Sequence, residues 1–157
     1  MTKQDRLNQF LLDFADFLEK YYSSALTDIS RETVDGAVRL KVFGPAESLM
    51  ELWADGAEIL IEFGEAHWHV DDYGEPCCYE NIYENVIDGV LDVLNGRQST
   101  YSCWSAGRVR GGGTCRGCTL DSAVEAAGEF FHGADEIRLK VWARETETHK
   151  IQQGQST

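Results

Sequence analysis

The chain has 157 residues, a length that fits one domain, and its 43% apolar and 11% aromatic content excludes a disordered polymer. No stretch approaches the roughly 18 unbroken apolar residues of a membrane helix, and the N-terminus MTKQDRLNQFLLDFADF mixes acids among its apolar residues where a signal peptide would not, which points to a cytoplasmic protein with no membrane partner. The net charge of −13 is segregated: no Lys or Arg lies between Lys41 and Arg97, and the 13 acids of that interval equal the whole net charge.

Residues 4 to 22 carry Phe10, Phe14, Phe17, Leu18 and Tyr21 at helical spacing, widened by Leu11 and Tyr22, which predicts an amphipathic first helix. Val38, Leu40 and Val42 alternate with polar neighbours as a half-buried strand that Gly44-Pro45 stops. Residues 48 to 71 read as a three-stranded meander, with Asp55-Gly56 as a type I′ turn and Gly64-Glu65 as a type II′ turn. Those loops set Leu52 opposite Ile59, Met50 opposite Ile61, Ile61 opposite Trp68 and Ile59 opposite Val70 on one apolar face. The other face receives Glu51, Trp53, Glu58, Leu60, Glu62, His67, His69 and Asp71. Ile82, Val86, Val90, Val93 and Leu94 then trace a second helix over 79 to 95, capped at Asn95-Gly96.

Residues 99 to 105 and 108 to 116 are expected to form a polar hairpin with a flexible glycine-rich end at Gly111-Gly112-Gly113. Ser122-Ala-Val-Glu125 has the form of a capping box for a short helix through Phe131, closed by His132-Gly133. Ile137, Leu139 and Val141 give a last alternating strand. The order α-β-βββ-α-ββ-α-β predicts a single α+β domain over 1–147, a mostly antiparallel sheet with helices packed on it, and a flexible tail over 148–157.

Three constellations bear on function. On the second helix, Glu80, Glu84, Asp88 and Asp92 follow one another at i,i+4, a ladder of like charges whose three pairs together oppose folding by about 1 kcal/mol. A solvated face would explain it alone, but Asp71, Asp72 and the acidic meander face extend the same sign, with Leu49, Trp53 and Leu60 available as apolar anchors. Second, His67 and His69 share one side of a strand, and with Cys115 and Cys118 they would compose a Cys2His2 zinc set, the alternative to a metal-free protein. Third, none of the five cysteines sits in a nucleophile motif, and acidic surroundings raise a thiol's pKa, so no catalytic residue is assigned and the chain is expected not to be an enzyme. A small metal-dependent enzyme is the remaining alternative. The segment Arg108 to Arg116 lacks the Gly-Lys-Ser/Thr end of a phosphate loop, and this net charge disfavours nucleic acid as a ligand.

The meander ELWADGAEILIEFGEAHWHVDDY, the acidic helix YENIYENVIDGVLDVLNG and the closing SAVEAAGEFF together resemble the small acidic immunity proteins that bacteria encode beside polymorphic or contact-dependent toxins. The resemblance implies a stoichiometric, non-catalytic inhibitor that sits on a cognate basic toxin and blocks its active site or substrate groove; were that toxin one acting on nucleic acid or nucleotides, its basic groove is what an acidic protein would fill. On that view Glu80, Glu84, Asp88, Asp92, Asp71 and Asp72 are electrostatic contacts, and Trp53, Trp68 and Tyr73 are anchors.

Overall fold

The computed structural model describes residues 1–71, 79–128 and 133–152. Among these lie three α-helices and nine strands in two antiparallel sheets, an α+β architecture. Thr2 opens α1 (Lys3–Tyr21) with a capping box, its hydroxyl accepting from the Asp5 amide at 3.1 Å while Asp5 accepts from the Thr2 amide at 2.8 Å. The buried stripe of α1 is Leu7, Leu11, Phe14, Ala15 and Leu18. Of the expected stripe, Leu11, Phe14 and Leu18 are buried as read, whereas Phe17 and Tyr21 are exposed and Phe10 and Tyr22 lie at its edge.

The first sheet runs in sequence order through β1 (Asp28–Val34), β2 (Ala37–Gly44), β3 (Ser48–Asp55), β4 (Glu58–Phe63) and β5 (Ala66–Val70). Strand β1 was not expected, because only Ile29 of its seven residues is buried and an exposed edge has no apolar alternation to read. Its turn was nonetheless written in the chain: Asp35-Gly36, with φ of 50° and 82°, is the dipeptide that a type I′ hairpin requires. Between β3 and β4 the expected register needs correction. Asp55 pairs with Glu58, so Gly56-Ala57 forms the loop and Leu52 meets Ile61, with Met50 opposite Phe63. Only Gly56 takes a positive φ there, 60°, which suits a type II′ loop in place of I′. The displacement is by two residues, so every side chain keeps its face. Across the β4–β5 turn the expected pairs are found, Ile61 with Trp68 and Ile59 with Val70.

Helix α2 (Tyr79–Leu94) lies beside α1 on this sheet, burying Ile82, Val86, Val90, Val93 and Leu94 as expected. It ends in a Schellman motif: Gly96 (φ 70°) donates to Val93 O at 3.0 Å and Arg97 to Asp92 O at 2.8 Å.

The second sheet has the order β7-β6-β8-β9, built from β6 (Gln98–Ser105), β7 (Arg108–Arg116), β8 (Glu136–Lys140) and β9 (Glu147–Lys150). The β6–β7 turn is Ala106-Gly107, both at positive φ, so Gly111 to Gly113 lie inside β7 and are no flexible hairpin end. Close approach explains two of them: a Cβ on Gly112 would stand 2.5 Å from the Tyr101 carbonyl oxygen, and one on Gly113 3.0 Å from the Tyr101 hydroxyl. Helix α3 (Leu120–Ala127) starts three residues before the expected box, with Thr119 as N-cap accepting from the Ser122 amide at 3.1 Å, and reaches its C-cap at Gly128. The expected end at Phe131 and His132 lies outside the described residues. Residues 148–150, placed at the start of the flexible tail, pair with β8 as part of β9 (Glu147–Lys150). All four residues of β9 are exposed, so no burial pattern announced them.

Two cores result. One fills the space between α1, α2 and the first sheet; the other lies between α3 and the second sheet. Trp142, just past β8, crosses from the second half into the first core. Its indole is buried, lies 5.6 Å from Phe63, and donates to Ala25 O at 2.9 Å. Gly44 makes room for it, since a Cβ there would stand 2.4 Å from the ring.

Candidate functional site

The period of α2 that buries its valines turns Glu80, Glu84 and Asp88 to solvent, all three exposed. Among the described residues no Lys or Arg forms an ion pair with any of them. Asp92, the fourth rung, differs: Arg97, the first cation after the acidic interval, bonds it at 2.8 Å. The free part of the ladder is therefore its N-terminal three rungs.

The outer face of the first sheet, turned away from α1 and α2, carries Leu49, Glu51, Trp53, Leu60, Glu62, His67 and His69 as the alternation requires. It is less acidic than the meander alone implied, because pairing with β2 brings Arg39 beside Trp53 and Lys41 beside Glu51. The Arg39 guanidinium lies 5.0 Å above the Trp53 ring and 3.9 Å from Glu51, and Lys41 stands 3.6 Å from Glu32. Trp68 belongs to the opposite face. It packs against the first core beneath α2, its indole nitrogen facing Gly89, and so shares no surface with Trp53. Asp71 ends the meander half-buried. Asp72 and Tyr73 lie outside the described residues.

The histidine and cysteine residues are not brought together. His67 and His69 are exposed, with ring centres 5.5 Å apart, and His69 Nδ1 lies 2.8 Å from Glu58. Cys115 is buried in the second core with its thiol 3.1 Å from the Ser99 hydroxyl, and Cys118 donates to the Gly96 carbonyl. Among the described residues no group of three His, Cys, Asp or Glu side chains is placed to hold a metal ion. Burial pushes the Cys103 and Cys115 thiols above their ordinary values, which keeps them protonated and weakly nucleophilic.

One concave feature went unrecognised in the sequence. A cleft of about 310 Å³ opens between the outer face of β3 and β4 and the face of β6 and β8 that α3 leaves uncovered. Its carboxylates are Glu47, Glu51, Glu62, Glu65 and Glu145. Its other wall pairs Thr100 with Lys140 and Ser102 with Arg138 across the β6–β8 ladder, with Trp104 beside them. Arg138 lies 3.7 Å above the Trp104 ring and bonds Glu136 through two nitrogens, at 3.1 and 2.9 Å. Lys140 donates to the carbonyls of Ala46 and Arg144, and its partial burial lowers its pKa. The alternation Ile137-Arg138-Leu139-Lys140 put both cations on one face, but the pairing of β8 with β6 is not a local feature of the chain.

No family model matches the chain, and neither a curated protein nor a solved structure was found to be similar to it.

Proposed function

We propose that this protein is a non-catalytic binding protein of the immunity type, which neutralises a basic protein toxin by covering it with an acidic surface. The observation that carries the reading is the row of Glu80, Glu84 and Asp88, exposed and without a basic partner among the described residues. The ladder opposes folding slightly and its three free rungs are exposed, which leaves them available to a partner. A cationic partner converts that repulsion into attraction and accelerates encounter at low ionic strength. The second support is distribution: α2 carries the ladder on one side of the first sheet, and the cleft gathers five further carboxylates on the other. A toxin acting on nucleic acid or nucleotides presents the basic groove that such a surface fits.

The test is capture from host lysate at low and high salt, with the wild type and a Glu84→Lys, Asp88→Lys variant as parallel baits. A basic protein held by the wild type, lost in salt and lost in the variant is the expected result. Equal retention by both baits would refute the role of the helix face.

A further inference from the structure

The ladder is a flat surface, whereas the cleft has depth, and its chemistry is more specific than a negative charge. Its two cations do not balance its five carboxylates: Arg138 is held by Glu136 and Trp104, and Lys140, bonded to two backbone carbonyls, interacts with Glu145 and Glu47. Of the five carboxylates, only Glu51 has an ion pair among the described residues, the long one to Arg39 at 3.9 Å. Negative charge is therefore in surplus inside a concave wall.

A second observation comes from the hydroxyls. Thr100 and Ser102 are 2% and 4% exposed and both line the cleft. Ser102 Oγ accepts the Trp104 indole N–H at 2.8 Å. Thr100 Oγ1 has no hydrogen bond to any described residue, although buried hydroxyls almost always find one. Among the described residues no fully enclosed side-chain polar atom is unsatisfied, so the Thr100 oxygen meets solvent where the residue borders the cleft. The cleft thus offers carboxylates and a buried hydroxyl, beside an indole that Arg138 covers, within one volume at the lower end of the roughly 300–1,000 Å³ of ligand pockets.

Those groups select among cations. A compact metal ion needs several ligands converging on a point, and the carboxylates do not converge in that way. A guanidinium is planar and distributes five donors over several acceptors, which matches carboxylates and a hydroxyl spread along a wall. We propose that the cleft between the two sheets is a receptor for a single alkyl guanidinium, the side chain of an arginine that the basic partner inserts. The inference rests on the binding role proposed above and names its recognition element.

The experiment titrates N-acetyl-arginine amide, and separately its neutral isostere N-acetyl-citrulline amide, into the isotope-labelled full chain, following the Trp104 indole and Thr100 amide resonances. Expected is a saturable shift of both signals with the arginine probe and none with citrulline. Glu62→Gln with Glu65→Gln, at two exposed positions, should weaken the probe at least fivefold; Thr100→Val should weaken it while leaving the fold's spectrum intact. The ladder variant Glu84→Lys, Asp88→Lys should bind the probe like the wild type. Unmoved Trp104 and Thr100 signals, an equal response to citrulline, or unchanged affinity in the Glu62/Glu65 variant would overturn the proposal. If the ladder variant loses its basic partner while the arginine probe leaves Trp104 unmoved, the cleft assignment falls and the binding role stands. If the probe binds as expected and no basic partner exists, the binding role falls and the cleft stands as a site for a free guanidinium compound.

Discussion

The core beneath α1 and α2 is filled by leucine, isoleucine, valine, methionine and phenylalanine, whereas five of the nine described buried residues under α3 are Ala123, Ala127, Ala134, Cys103 and Cys115, beside Tyr101, Ile137, Leu139 and Val141. Burial stabilises by roughly 25 cal/mol per Å² of apolar surface, so large side chains make the first half the stronger unit. The second half depends on its attachment. Trp142 inserts into the first core, the Ala143 amide donates to buried Ser48 at 2.9 Å, and Lys140 reaches the Ala46 carbonyl. The contrast also divides the candidate surfaces: the ladder stands on the strong half, while the cleft exists only while both halves are held together.

The sharpest way to break this contrast is Trp142→Ala, which removes the indole shared by the halves. It should destabilise by about 3–5 kcal/mol and expose the amides of β6 and β8 to hydrogen exchange before those of β3 and β4. Protection lost evenly across both sheets would contradict the division.

Truncations within each core come next. Leu52→Ala, at a fully buried position of the first core, should reduce the unfolding free energy by about 2–5 kcal/mol. Ala123→Gly, equally buried in α3, should reduce it by about 1 kcal/mol. Chemical denaturation of both variants checks the ratio, and comparable losses would mean that the second core is stronger than its residues suggest.

How legible each half was follows the same division. The alternation through β3, β4 and β5 and the valine stripe of α2 could be read because burying large side chains imposes a period on the chain. Strands β1 and β9 bury almost nothing and carried no such period. In the second sheet, β7 is dominated by glycine and polar residues, and only its pairing with Tyr101 and Ser102 explains why Gly112 and Gly113 are needed. The ladder's position was legible because it is local to one helix. The engagement of Asp92 by Arg97 was also within reach, five residues along the chain. The cleft was not, since it joins Glu62 to Arg138 through sheet packing that no local pattern encodes.

A smaller effect separates binding from stability. Replacing Glu84 and Asp88 by lysine turns repulsive pairs with Glu80 and Asp92 into attractive ones and should stabilise the free protein by about 0.5–1 kcal/mol, measurable as a raised denaturation midpoint. A drop in stability would show that the ladder makes contacts within the chain.

The least effect is expected on the first half at low pH. Arg31 bonds Glu19 and Asp16, each at 2.8 Å, and its hydrogen bond holds the Glu19 carboxyl below the ordinary glutamate value. A depressed carboxyl contributes stability that is present above its unfolded pKa and lost as pH falls through the folded one. Arg31→Gln should therefore narrow the stability difference between neutral and acid pH, as read by denaturation at both. An unchanged difference would show that the pair contributes nothing.

The central claim is that exposed acids on α2 hold a basic partner. It is tested most directly by measuring the affinity of the captured partner for the wild type and for Glu84→Lys, Asp88→Lys across ionic strength. The expected result is a variant weaker by about 1–2 kcal/mol, roughly five- to thirtyfold in Kd, at low salt, with the two proteins converging as salt screens the surface. Identical affinities at every ionic strength would contradict the account.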